Sequence, residues 1–264
     1  VTLLRREPRV VGVVSARMAS TRYPGKALVP LAGRPLLEVL LRRVASVPEL
    51  DTVALATSAR PENDVLVQIA RSLGIPVFRG EEDDVLRRHL DCARTLQADH
   101  VVRVTGDNPL TDLDTLGRLV TLHLEAGADY TYVPGDALLM GILPEVVSTA
   151  GLARAWERGE ARHRSELVTL YIKEHPSEFR IRTAELDAAL YRPHYRLTVD
   201  EAEDVALMQA IFERLAAPGK TVSTREAIEL LDREPALVRL NAHLSHKAHN
   251  VRSVELDAKI AVKA

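Results

Sequence analysis

Three short stretches set charged side chains where an anionic ligand could be handled. The first, residues 15–26 (Ser-Ala-Arg-Met-Ala-Ser-Thr-Arg-Tyr-Pro-Gly-Lys), places Arg17, Arg22 and Lys26 among small residues. Small side chains let backbone N–H groups approach an anion, and three cations neutralise its charge. A triphosphate needs both, because its β- and γ-phosphates must depart as a charged group. The plainer alternative is a solvated basic loop. The second stretch is Thr105-Gly106-Asp107-Asn108-Pro109, where glycine permits a sharp turn and a carboxylate follows it. A carboxylate there suits Mg²⁺, which takes one or two protein carboxylates and completes its shell with phosphates and water. Asp107 could equally cap a turn. The third, Thr198-Val199-Asp200, offers a second carboxylate, while Glu203 and Asp204 behind it suit the N-terminus of the next helix.

Two familiar phosphate motifs are missing. A Walker loop needs glycine five positions before Gly25-Lys26 and Ser or Thr after it, where this chain has Ser20 and Ala27. There is also no G-x-G-x-x-G to support a dinucleotide fold. Asp112-Leu113-Asp114 matches the D-x-D of metal-dependent glycosyltransferases, but Asp112 reads better as a helix N-cap. His243, His246 and His249 share a helical spacing without cysteines or carboxylates beside them, so they read as a solvated helix rather than a metal face.

These stretches each follow an apolar run. Val10–Val14, Thr52–Thr57, Pro76–Phe78, His100–Val104 and Ala128–Val133 read as buried strands. Helical patterns over Pro35–Val47, Glu62–Leu73, Asp83–Leu96 and Asp112–Ala126 separate them. Such alternation predicts an α/β fold, a mostly parallel sheet covered by helices on both faces. Ligands then collect at the carboxyl ends of the strands, where the first loop emerges. In the second half, Ile142–Val147, Phe179–Thr183 and Tyr195–Val199 read as strands. Ser148–Glu157, His163–Glu174, Glu201–Leu215 and Ser223–Asp232 read as helices, the last with Ser223 and Glu226 as a capping box. One domain over 1–264 is expected, with a mixed insertion near 137–191 and a helical extension over 223–264.

Composition narrows the function classes. The 264 residues are 46% hydrophobic and 27% charged, with a formal charge of −2, which is an ordinary globular balance and not a polyanion binder's. Aromatics at 4% leave few stacking platforms for single-stranded nucleic acid. The lone Cys92 fits core packing and a reducing compartment. Residues 1–9 do not read as a signal peptide, and no stretch has the roughly eighteen apolar residues of a membrane span. A soluble, cytoplasmic protein is expected.

The motifs also resemble a known family. Residues 16–36, A-R-M-A-S-T-R-Y-P-G-K-A-L-V-P-L-A-G-R-P-L, look like the opening of the cytidylyltransferases that activate acidic sugars. Those include the CMP-Kdo and CMP-acylneuraminate synthetases, and especially the spore-coat polysaccharide biosynthesis SpsF type. Phe78-Arg79-Gly80, Glu82–Leu86, Val102–Leu110, Arg196–Asp200 and Leu230-Leu231-Asp232 to His243 recur in the family's order.

The resemblance implies a three-layer, Rossmann-like fold of the glycosyltransferase-A (nucleotide-diphospho-sugar transferase) kind. It implies CTP as donor, Mg²⁺ on Asp107 and Asp200, and Arg17, Arg22 and Lys26 on the phosphates, with Arg17, Lys26 and Asp107 as the catalytic set. Ala16, Ser20, Thr105 and Gly106 would complete the nucleotide site, with Arg79, Asp84 and Arg88 near the base. The acceptor, an acidic sugar or related small molecule, would bind in the second half, where Glu145 and Glu166 are candidates. A homodimer is implied as well. Relatives often carry Asp two residues before the glutamate, where this chain has Leu143 ahead of Pro144-Glu145, and His-Val-Thr-Pro-Tyr where it has Leu167-Val-Thr-Leu-Tyr171. A glycosyltransferase using a nucleotide sugar, or a non-catalytic nucleotide-binding relative, are the alternatives.

Overall fold

The structure is a computed structural model that describes residues 6–20, 22–135, 140–244, 255–257 and 260. Thr21, His246 and His249, singled out above, lie outside the described residues, as do the first residues of the 137–191 segment.

Among the described residues seven strands form the main sheet, in the order β5-β4-β1-β6-β8-β7-β9. They are β1 (Val10–Ser15), β4 (Thr52–Ser58), β5 (Val77–Gly80), β6 (His100–Thr105), β7 (Tyr130–Tyr132), β8 (Glu145–Ser148) and β9 (Ile181–Thr183). A small hairpin, β2 (Pro30–Leu31) with β3 (Arg34–Pro35), stands apart. In the main sheet β1 runs parallel to β4 and β6, with Val11 opposite Thr52 on one side and Val101 on the other. Only β8 is reversed, antiparallel to both β6 and β7. The mostly parallel α/β architecture expected from the alternation is what the chain adopts.

Period-two burial divides the core. Val10 and Val14 face a cluster with α1 (Leu36–Val44), α2 (Asp64–Ser72) and α4 (Leu113–Ala126). Val11 and Val13 face the opposite cluster with α3 (Val85–Thr95), α5 (Thr149–Arg158) and α6 (Leu170–Glu174). With both faces covered, continuous Val-rich strands bury every side chain, so β1 needs no polar alternation. Cys92 lies fully within the second cluster, and burial pushes its thiol up to about 12.

A third cluster forms beside the sheet from α7 (Ala202–Leu215), α8 (Thr224–Arg233) and α9 (Pro235–Val238). The Ser223–Glu226 capping box opens α8 as expected. Tyr195–Val199 differs from its reading as a strand. Tyr195, Leu197 and Val199 are buried in the third cluster, but the segment joins no sheet ladder among the described residues. Two backbone bonds pin it instead, Leu197 N–H to the Met140 carbonyl and Val199 N–H to the Asp107 carbonyl, both 2.9 Å. Gly141, at φ +97°, lets these segments meet: a Cβ there would fall 2.2 Å from the Leu197 carbonyl carbon. The helix expected over His163–Glu174 is likewise broken, into a short turn at Ala161–Arg164 and α6.

Candidate active site

The loop after β1 folds on itself around one carbonyl. Met18 O accepts from Ser20 N–H at 2.9 Å and from Gly25 N–H at 3.1 Å. Buried Asn63 ties the loop to the neighbouring strand end, its Oδ1 accepting from Met18 N–H at 2.8 Å and its Nδ2 donating to Ser58 Oγ at 2.7 Å. Gly25 takes a left-handed φ of 75° and starts the turn Lys26–Leu28, which buries Ala27 and projects Lys26 into the cleft.

The end of β6 meets this loop at close quarters. Gly106 N–H donates to the Ser15 carbonyl at 2.8 Å. A Cβ on Gly106 would come within 2.6 Å of Ala16 Cβ and 2.7 Å of Ser15 O, so no larger residue fits. Asp107 therefore leaves the turn directly opposite Lys26. The bond from Val199 N–H to Asp107 O then brings Asp200 alongside.

Lys26 Nζ bridges the two carboxylates, 2.6 Å from Asp107 Oδ2 and 2.8 Å from Asp200 Oδ1. Arg22 Nη2 adds a 2.5 Å bond to Asp200 Oδ1. Burial works against the Lys26 ammonium, but Asp107 and Asp200 together outweigh it and hold its pKa above the usual lysine value. Burial likewise opposes the Asp107 carboxylate, yet Lys26 keeps it below the usual range.

Asp200 is held from behind. Buried Arg196 lies 3.4 Å from Asp200 Oδ2 and makes a bidentate pair with Asp204, at 2.8 and 2.9 Å. Asp204 Oδ2 also accepts from the backbone N–H of Asp200 and of Glu201, each at 3.0 Å. Asn241 Nδ2 closes the network on Asp204 Oδ1 and Arg196 O, both 2.9 Å. Asp204 is thus more than an acid favouring a helix N-terminus, and Asn241 has a positioning role that its sequence context alone does not reveal.

The cleft walls comprise Ser15, Ala16, Arg17, Ser20, Arg22, Lys26, Ala27, Val85, Arg88, His89, Arg103, Thr105, Gly106, Asp107, Glu166 and Asp200. Arg17 reaches Glu82 at 3.1 Å, and Thr105 Oγ1 accepts from Asn108 Nδ2 at 2.6 Å. Buried Arg88 donates to the Glu81 and Glu82 carbonyls and to Ser15 Oγ; burial, with Arg17 nearby, lowers its pKa.

Three expected site residues stand outside these walls. Arg79 turns away to Asp64 (2.6 Å) and to the carbonyls of Ser58 and Arg60. Asp84 is the N-cap of α3, accepting from Arg87 N–H at 2.8 Å while its other oxygen takes the Trp156 indole N–H at 2.9 Å. Glu145 is buried opposite Arg103 in the β6–β8 ladder, bonded to Arg103 at 2.7 Å, to Thr169 at 2.9 Å and to the Tyr130 hydroxyl. Glu145 orients Arg103, which does line the cleft; exposed Glu166 sits at its rim, its carbonyl accepting from Arg103 at 3.0 Å.

Leu143 packs between the first and third core clusters. Asp112 caps α4 by accepting from Thr115 N–H at 2.8 Å and is absent from the cleft walls, so the D-x-D match contributes nothing there. Among the described residues no group of three or more His, Cys, Asp or Glu could hold a metal, and no helix is long and apolar enough to cross a membrane.

Known proteins similar to this chain identify its family. The cytidylyltransferase family model matches residues 11–231. The spore coat polysaccharide biosynthesis protein SpsF of Bacillus subtilis is 36% identical over 232 residues, 86% of this chain and 95% of that one. A cytidylyltransferase from Leptospira borgpetersenii superposes with a TM-score of 0.80 at 26% identity, over 88% of this chain and 97% of that one. A CMP-2-keto-3-deoxy-manno-octonic acid synthetase solved with CTP shares the fold at a TM-score of 0.60 and 16% identity, over 78% and 99% of the two chains. With the family model spanning most of its length and the relatives covered almost end to end, the chain belongs to the cytidylyltransferases.

Proposed function

We propose that this enzyme transfers CMP from CTP to a hydroxyl of an acidic sugar and releases pyrophosphate. The observation that carries this reading is Lys26 Nζ lying within 2.8 Å of both Asp107 and Asp200, at the mouth where the basic loop opens. A cation already bridges two carboxylates, Asp107 after β6 and Asp200 on the segment bonded to it through Val199 N–H, so the pair fits a divalent ion. Asp107 and Asp200 would hold Mg²⁺, which when bound supplies charge neutralisation on the triphosphate.

Lys26 and Arg22 then turn from the carboxylates to the phosphates, joined by Arg17. Ala16 and Gly106, lacking bulk, let the nucleotide approach the loop backbone. The acceptor oxygen bonds to the α-phosphorus as the bond to the bridging oxygen breaks, the hydroxyl proton passes to water, and pyrophosphate leaves against the basic loop. The chain's contribution is positioning and electrostatic stabilisation.

A panel of sugar acids assayed with each of the four nucleoside triphosphates tests this reading. Mg²⁺-dependent pyrophosphate release with CTP and a sugar acid is the expected result. Turnover of a nucleotide sugar in place of CTP would mean a glycosyltransferase instead.

A further inference from the structure

His89 stands in the cleft wall with one ring nitrogen satisfied and the other not. It sits in the second turn of α3, is 1% exposed, and shares the wall with Arg88, Arg103 and Glu166. Nδ1 lies 2.8 Å from the Val85 carbonyl oxygen. A carbonyl can only accept, so Nδ1 carries the proton. Nε2 is itself buried and has no hydrogen-bond partner among the described residues. Burial, with the positive charges of Arg103 and Arg88 nearby, pushes its pKa down to about 3, although the Val85 carbonyl and Glu145 act the other way. The ring is therefore neutral, and Nε2 is a bare lone pair. Buried acceptors in folded proteins are paired, and a donor brought by a ligand would account for this partnerless one on a residue of the cleft wall.

Resting on the sugar-acid reading above, we infer that His89 Nε2 accepts a hydrogen bond from an acceptor hydroxyl and makes His89 a specificity-determining residue. A phosphate or carboxylate oxygen could not serve, because it would set lone pair against lone pair. The second-half side of the cleft is the one His89 borders: Arg103 beside it is held by Glu145 and by the Glu166 carbonyl. The phosphate-handling cations belong to the loop after β1. An acceptor bearing a hydroxyl at this point is selected over one that is deoxygenated there, since the latter leaves the buried nitrogen unpaired.

Nitrogen-15 NMR of the full chain reads this directly. With MgCTP present, the unprotonated Nε2 resonance of His89 is expected to move toward the hydrogen-bonded position on adding a member of a panel of hexonic, octulosonic and nonulosonic acids. It should stay in place with 2-oxobutyrate, which has no hydroxyl. His89→Phe should raise the KM of a responding acid about tenfold or more, with CTP affinity by calorimetry held. His89→Gln, whose amide oxygen can accept, should recover part of that loss. A shift with MgCTP alone would assign the nitrogen to the nucleotide and overturn the proposal. So would no shift with any acid, which would leave an ordered water as its partner. Pyrophosphate release, measured separately, reports on the transfer reading itself.

Discussion

Lys26 Nζ and Asp107 Oδ2 are 2.6 Å apart, and the same ammonium reaches Asp200 at 2.8 Å. On the proposed function, the cation that would meet the phosphates is therefore held by the carboxylates that would hold the metal ion. Each ligand must displace the pairing that the other relieves, so metal and triphosphate should bind with positive coupling. Calorimetry with Mg²⁺ alone should show weak binding, tightening when CTP is present. Lys26→Met should strengthen binding of Mg²⁺ alone, weaken CTP, and lower turnover by about 10² or more. Equal Mg²⁺ affinity in both proteins would refute the coupling.

Gly106 is where the first loop and the end of β6 press together. Gly106→Ala places a methyl 2.6 Å from Ala16 Cβ and 2.7 Å from Ser15 O, both parts of the backbone-bound loop. Overpacking of this kind costs about 1–3 kcal/mol. Urea denaturation should show that loss, and CTP affinity should fall with it. Wild-type stability in this variant would mean the two segments are further apart than described.

Asp204 does not itself line the cleft, yet it should matter to the site through Asp200, whose backbone it holds. Asp204→Ala leaves buried Arg196 without its bidentate partner and removes the acceptor for the Asp200 backbone N–H. Breaking one side of a buried pair costs about 3–5 kcal/mol. A destabilised protein that also loses its response to CTP is the expected outcome; Asn241→Ala should show the same pattern more mildly.

Acid should destabilise the fold through its buried histidines. Burial pushes both His89 and His123 down to about 3, and both are essentially inaccessible. In the unfolded chain each titrates near 6.5. Between these values the unfolded state binds more protons, so stability rises with pH. The contribution is complete above about 6.5 and is lost as pH falls toward 3, at up to about 1.4 kcal/mol per pH unit for each ring. Thermal melts across this range should show the slope, and His123→Gln should flatten it. An unchanged slope in that variant would rule out His123 as a source.

Much of this was legible in the residue string, for physical reasons. Strands buried on both faces must be continuous apolar runs, so β1 and β4 appear almost to the residue, at Val10–Ser15 and Thr52–Ser58. Ligand-handling loops follow strand ends in a parallel sheet, which is why Lys26 after β1 and Asp107 after β6 stand out in the sequence; Asp200 stands out for the wrong reason, since the run before it is no strand. Tyr195–Val199 was less readable. Its alternation correctly signals burial, but burial in a helical cluster leaves the same pattern as burial in a sheet. Arg79, Asp84 and Glu145 entered through the family resemblance; the partners that hold two of them outside the cleft walls, Trp156 on Asp84 and Tyr130 on Glu145, are distant in sequence or hidden in the sheet. His89 had only a faint signal, a polar residue on the buried Val85-Leu86-Leu90 stripe of α3.

The most direct test is the melting temperature with each of CTP, UTP, GTP and ATP, with and without Mg²⁺. A triphosphate at 100 times its Kd adds about 2.7 kcal/mol, or about 5 °C for a chain of this size. A Mg²⁺-dependent rise with CTP, larger than with any other triphosphate and lost in Asp107→Ala, is the predicted result. No rise with any triphosphate would contradict the account, because the loop carrying Arg17, Arg22 and Lys26 would then not be a nucleotide site.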